Sequence, residues 1–187
     1  LQNVQGQLAA AIENAVRFKR AEDSATTDHL TRLPNARSLF LHLENELSRC
    51  RRNGEPLTVL LCDLDGFKNV NDEFGHLNGN KVLRAVSRVL EKSCREYDFV
   101  ARLGGDEFGI LFACDMEEAY AKSQELCRAI RELHFVWEGQ YFPVSASIGL
   151  VPIDAEEGDL GQIMRRVDAA CYVAKEQGRN RVHRYEH

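Results

Sequence analysis

The run Leu57-Thr58-Val59-Leu60-Leu61-Cys62-Asp63 constrains this chain more than any other segment. It has the length of a strand, and its apolar character is nearly continuous rather than alternating. Such a strand lies in the middle of a sheet with both faces covered. Its end is the anomaly: Asp63 and Asp65 place two carboxylates at the mouth of an apolar strand. A carboxylate there is costly to desolvate unless something compensates it.

The flanking sequence supplies partners for that strand. Helices are expected over residues 36–51, 80–94, 117–133 and 160–177, from apolar residues at helical spacing. Leu33-Pro34-Asn35 marks a turn before the first, Asn53-Gly54 ends it, and Gly178 stops the last. Further strands are expected over 99–103, 108–113, 144–151 and 181–185. The first two flank Gly104-Gly105 and form a hairpin. Strands and helices that alternate around an antiparallel hairpin indicate an α+β fold, with helices packed against one mostly antiparallel sheet.

Residues 1–26 are expected to form a separate helix. Val4, Leu8, Ile12, Ala15 and Val16 recur at helical spacing, and the polar stretch Glu22-Asp23-Ser24-Ala25-Thr26-Thr27 sets them apart from the rest of the chain. Packing on its own domain would explain the pattern, but a coiled-coil connector explains the separation better. The chain opens at Leu1 inside this helix and is expected to be a piece of a longer protein.

Composition narrows the function. The chain has 187 residues, 44% of them hydrophobic, enough for one globular domain and a short extension. Its formal charge of −5 argues against a non-specific nucleic-acid binder. A local basic pocket for a nucleotide remains compatible with that charge. The six cysteines show no metal-ligand spacing and mostly sit in apolar runs, as reduced core residues of a cytoplasmic protein would. No apolar run is long enough to span a membrane.

A second acidic cluster, Asp106-Glu107, sits at the hairpin tip. Two carboxylate-bearing strand ends suit a divalent cation, since Mg²⁺ takes one or two carboxylates and completes its shell with water and phosphate. Two such ions would support in-line displacement at phosphorus. The plain alternative is acids that terminate strands at a wet edge. The two glycines permit positive φ and close approach of a ligand to the backbone, although Gly-Gly-Asp also occurs in ordinary hairpins.

The motifs together say more than the spacing. Arg102-Leu103-Gly104-Gly105-Asp106-Glu107-Phe108 resembles the signature of the GGDEF family of diguanylate cyclases. Asp28-His29-Leu30-Thr31-Arg32-Leu33-Pro34-Asn35 is similar to that family's opening motif. Asp63-Leu64-Asp65-Gly66-Phe67-Lys68-Asn69-Val70-Asn71-Asp72, with Phe74-Gly75-His76 after it, resembles its metal and nucleotide segment. Ala174-Lys175-Glu176-Gln177-Gly178-Arg179-Asn180 is similar to its C-terminal motif. The matches are collinear and extend over residues 27–187.

The resemblance implies a catalytic domain over 27–187, with a ferredoxin-like core similar to the palm of adenylate cyclases and polymerases. It implies two Mg²⁺ ions, or Mn²⁺ in their place, held by Asp63, Asp106 and the Leu64 carbonyl. Asp63, Asp106, Glu107 and Lys68 would be catalytic. The amides of Gly66 and Phe67 would cradle phosphates, with Lys68, Lys175 and Arg179 supplying positive charge. Asn71 and Asn80 would face the base. The implied reaction condenses two GTP into cyclic di-GMP with release of pyrophosphate, by attack of a 3′-hydroxyl on an α-phosphate. Each domain would bind one GTP, so the product requires a homodimer, brought together by the N-terminal helix under the control of an upstream sensor. Arg95-Glu96-Tyr97-Asp98 matches an RxxD product-inhibition motif, in which Arg95 and Asp98 would bind cyclic di-GMP; an Arg–Asp pair at a helix end is the plain alternative.

Three positions depart from the family pattern. Arg32 stands for a frequent glycine and Ala36 for a frequent arginine. Asn80 stands where the family usually has the aspartate that accepts from guanine. An asparagine offers one acceptor and one NH₂ donor. It would leave one guanine contact unmet, at about 1–3 kcal/mol, whereas it can pair bidentately with adenine. Three readings are open: cyclic di-GMP synthesis, relaxed specificity with ATP entry and a cyclic GMP–AMP product, or a weakly active nucleotide-binding signalling module.

Overall fold

The computed structural model describes residues 25–154, 156 and 158–185. The expected helix over 1–26 lies outside them except for its last two residues, Ala25 and Thr26, which are helical. In chain order the elements are α1 (Ala36–Asn53), β1 (Thr58–Leu64), α2 (Phe67–Phe74), α3 (His76–Ser93), β2 (Phe99–Gly104), β3 (Glu107–Phe112), α4 (Met116–Arg131), β4 (Phe135–Trp137), β5 (Gln140–Phe142), β6 (Ala146–Pro152), α5 (Leu160–Glu176) and β7 (Arg181–Arg184).

The apolar run forms β1, which is buried along its whole length at the centre of a five-stranded sheet ordered β2-β3-β1-β6-β7. Alternate residues of β1 serve two cores. Leu60, Cys62 and Leu64 pack with Val82, Val86 and Leu90 of α3 and with Leu126 and Ile130 of α4. Val59 and Leu61 pack with Leu39, Leu43 and Leu47 of α1 and with Val167 and Cys171 of α5. Helices on both faces explain why a strand antiparallel to both neighbours reads as continuously apolar. The same alternation carries Asp63 onto the α1/α5 face.

The sheet is α+β and mostly antiparallel, as expected, with β6 and β7 as a parallel pair. The helical crossover through α5 dictates that direction. Two features were not anticipated. Residues 67–74 form α2, ahead of α3, which starts at His76 rather than at 80. Gly66 and Gly75, both at positive φ, bound α2 and hide its short apolar pattern of Phe67, Val70 and Phe74. The small hairpin β4–β5 is the other, too short to show a period.

The six cysteines are free; all are buried except Cys94, which is half-buried. Burial pushes their thiols up, to about 11 at Cys114 and Cys127 and about 12 at Cys94 and Cys171. They are packing residues, not nucleophiles.

Close approach of α5 to the sheet depends on Gly149 in β6. A Cβ there would press on backbone of α5 at Cys171 and Val167. Gly149→Ala should therefore lower stability by about 1–3 kcal/mol, the usual cost of overpacking. Equilibrium urea unfolding would check this; a neutral substitution would mean that α5 can shift freely.

Candidate active site

The site grows from the ends of β1 and β3. Antiparallel pairing sets Asp63 opposite Glu107, and the Leu64 amide donates to the Asp106 carbonyl at 3.1 Å. The two acidic segments of the sequence are therefore held together by the sheet itself. The turn between β2 and β3 needs its glycines for conformation: φ is +145° at Gly104 and +49° at Gly105, and a Cβ at either would meet nothing within 4 Å.

Lys175, on the last turn of α5, donates to Asp63 Oδ2 at 2.8 Å. One ammonium thus faces Asp63, Asp106 and Glu107. Burial pushes the Asp63 carboxyl above its usual value despite Lys175, with Asp106 and Asp65 adding to the rise. Glu107 is raised too, by burial first and then by Asp63, Asp106 and Asp168. Lys175 is also raised: burial disfavours its charge, but the bond to Asp63 and the surrounding acids outweigh that. Beyond burial, neighbouring carboxylates add to all three shifts.

This carboxylate charge, on hard oxygen donors, fits a divalent cation. No group of three or more His, Cys, Asp or Glu among the described residues forms a ready-made metal cage. The fit is therefore to a cation such as Mg²⁺, which keeps waters and shares itself with phosphate. Asp63 and Asp106 would be the carboxylates for it.

Gly66 comes directly after, at φ +64°, as the N-cap of α2, with no side chain capping the helix. Its amide end is open to an anion, as a phosphate-cradling role for Gly66 and Phe67 requires. Lys68 is exposed in the first turn. Arg179 is exposed at φ +62° in the loop after α5.

Asp65, two residues from Asp63 in the acidic cluster, has a different task. Its carboxylate accepts from Ser145 Oγ (2.7 Å), Ser147 Oγ (2.6 Å) and the Asn180 amide (3.0 Å). It pins the loop that carries Arg179 to the start of β6. Arg102 stands out in the sequence only as part of a motif, yet its guanidinium holds the hairpin tip. It donates to the Gly105 carbonyl at 2.6 Å and to both oxygens of Asp28 at 3.1 Å. Asp28 also accepts from the Thr31 amide and hydroxyl. Although burial opposes it, these bonds and Arg102 hold the Asp28 carboxyl below its usual value. Residue identity alone could not reveal these two roles, because each depends on partners far along the chain.

Asn71 and Asn80 are half-buried, on α2 and α3. The Asn71 carboxamide occupies the space that a side chain at Gly79 would need, so Gly79 lets α2 and α3 close around it. Asn80 lies one residue beyond, in the second turn of α3 rather than at its start. Arg95 and Asp98 lie at the far end of β2, about 20 Å from the hairpin tip at strand rise. The Asp98 side chain is only 3% exposed. It accepts from the amides of Ala113 and Arg95, and Lys122 pairs with it at 3.2 Å. Arg95 points outward and pairs with Glu118 at 2.8 Å.

The chain is thus a helix-flanked, mostly antiparallel α+β domain with two acidic strand ends beside an uncapped helix N-terminus. The sequence matches the family described as "Diguanylate cyclase, GGDEF domain" over residues 25–181; the chain belongs to that family. It is 36% identical over 175 residues to the probable diguanylate cyclase DgcE of Escherichia coli (strain K12), covering 93% of this chain and 16% of that protein. It is also 36% identical to the diguanylate cyclase DgcP of Pseudomonas aeruginosa, covering 97% of this chain and 29% of that protein. The chain thus spans less than a third of either relative. Among solved structures, the coiled coil and GGDEF domain of DgcB from Caulobacter crescentus, in complex with c-di-GMP, superposes with a TM-score of 0.85 at 26% identity. That match covers 97% of this chain and 98% of the other.

Glu107 offers a test of the charge excess. A carboxyl raised in the folded state contributes no penalty at low pH, and destabilises progressively as pH rises through its folded value. In chelator, Glu107→Gln should therefore match wild type under acidic conditions and melt higher at neutral pH, by at most about 2 °C. Thermal melts across pH would check it; a lower melting temperature at neutral pH would contradict the crowding.

Proposed function

We propose that this domain is a diguanylate cyclase that joins two GTP into cyclic di-GMP and releases pyrophosphate. The observation that carries this reading is the carboxylate excess at Asp63, Asp106 and Glu107, set directly beside the open N-terminus of α2. Family membership and the curated cyclases it resembles support it.

Divalent cations on Asp63, Asp106 and the Leu64 carbonyl would neutralise phosphate charge and lower the pKa of the attacking 3′-hydroxyl. The rest belongs to the chain. The amides of Gly66 and Phe67 hold phosphate oxygens, and Lys68 and Arg179 balance their charge. Lys175, which pairs with Asp63, would be contested by triphosphate oxygens. Glu107 adds field beside them. Asn71 orients the base from its pocket against Gly79. Arg102 and Asp65 are positioning residues: one fixes the hairpin that presents Asp106, the other the loop that presents Arg179.

Two domains must meet face to face, each with one GTP. Residues 1–26 as a coiled-coil connector would raise the effective concentration of the second site and transmit the state of an upstream sensor. The neighbouring DgcB structure, which pairs a coiled coil with its GGDEF domain in complex with c-di-GMP, supports that reading and supports product binding; the RxxD spacing is what assigns the product to Arg95 and Asp98. Asp98 is already consumed by Ala113, Arg95 and Lys122, so product binding there rests on Arg95 or requires Asp98 to exchange partners.

Asn80 favours a second reading. Half-buried on α3 one residue after Gly79, it would meet a base edge in this reading, and its NH₂ would confront a guanine donor. ATP entry and a cyclic GMP–AMP product are the consequences of that mismatch. The experiment is incubation with Mg²⁺ and GTP, ATP or both, with separation of the products. Cyclic di-GMP from GTP is expected, and Asn80→Asp should raise the preference for GTP over ATP about tenfold to a hundredfold. No cyclic dinucleotide from any mixture would leave a nucleotide-binding module, and an unchanged preference would remove Asn80 from base recognition.

A further inference from the structure

A cleft outside the carboxylate site lies between α4 and β7, with a volume of about 710 Å³. Arg128 and Arg131 enter it from the last turn of α4, and Arg181 and Arg184 from β7. Four guanidinium groups around one cleft are unexpected in a chain of net charge −5. Arg184 is spoken for. It pairs with both oxygens of Glu117, at 2.5 and 3.2 Å, and stacks over the Tyr120 ring at 3.8 Å. Arg181 is partly fixed, since its Nε donates to the Arg179 carbonyl at 3.2 Å and leaves the terminal nitrogens. Among the described residues, neither it nor Arg128 nor Arg131 has a carboxylate partner.

Cations on the last turn of a helix are ordinary, because they favour the helix dipole. That accounts for Arg128 and Arg131 but not for Arg181, which lines the same cleft from another element. Like charges gathered this way repel, a cost that an anion between them would offset. Guanidinium forks match phosphoryl oxygens in geometry as well as charge. The volume lies within the range of small-molecule sites and exceeds the needs of one inorganic phosphate. A concave cleft also suits a small ligand better than an acidic protein face.

We propose that this cleft binds a small polyphosphorylated anion, at a site distinct from the GTP site and independent of the cyclase reading. Its wall includes Asn180, whose amide is bonded to Asp65. The occupant would therefore touch the loop that presents Arg179.

The probe is inorganic tripolyphosphate, titrated calorimetrically into the full chain in chelator at low salt. Wild type should bind two equivalents. Arg128→Ala/Arg131→Ala/Arg181→Ala should weaken one of them at least about tenfold, from the loss of charged hydrogen bonds. Lys68→Ala/Lys175→Ala/Arg179→Ala should weaken only the other. In wild type, NMR shifts on titration should include residues of α4's last turn and β7, a readout that needs no variant to fold. The proposal is overturned if the cleft variant binds as wild type does, if the phosphate-loop variant binds nothing, or if the cleft takes polyglutamate but not tripolyphosphate.

Discussion

The structure turns on carboxylates crowded at the end of a buried strand. β1 is apolar and covered on both faces, so the register that fills the core also delivers Asp63 to its rim, opposite Glu107 and near Asp106. Lys175 balances only part of that charge. Buried like charges cost stability, and the fold accepts the cost at this edge while most of the sheet's buried side chains are apolar. A site that destabilises its own domain in the absence of ligand is the expected signature of function rather than of structure.

Around that edge the chain devotes several residues to holding others still. Arg102 ties the hairpin tip to Asp28, and Arg102 also donates its amide to the Pro34 carbonyl. Asn35, next in sequence, receives Ser38 as the cap of α1 and donates its side-chain NH₂ to the Ala25 carbonyl. The described end of the N-terminal segment is thus linked by hydrogen bonds to the strand that leads into the Asp106 turn. Asp65 works similarly from the other side, joining β6 to the loop of Arg179. Two loops from distant parts of the sequence converge because each is anchored to the same central sheet.

Much of this was legible in the sequence. The apolar run gave away the central strand because burial on both faces leaves a continuous pattern, and Gly104-Gly105 marked the hairpin because only glycine meets its φ angles cheaply. The helices α1, α4 and α5 were readable from period and caps. What was hidden was short or relational. α2 spans only two turns between glycines, and β4 and β5 have three residues each. The parallel direction of β7 comes from the crossover, not from its residues. In the site, Asp63, Asp106 and Lys175 were named from motifs, but the sequence could not show that Lys175 already pairs with Asp63, that Asp65 faces serines, or that Asp98 is enclosed. Hydrogen-bond partners some 80 or 115 residues apart leave no local trace.

The central claim is that the excess charge at Asp63, Asp106 and Glu107 is a cation site completed by nucleotide phosphates. Mn²⁺ binding monitored by electron paramagnetic resonance, with and without a non-hydrolysable GTP analogue, tests it most directly. Wild type should bind Mn²⁺ weakly alone and much more tightly with the analogue, and Asp63→Asn should lose that enhancement while still folding. Equal Mn²⁺ binding with and without the analogue, or an undiminished enhancement in Asp63→Asn, would contradict it.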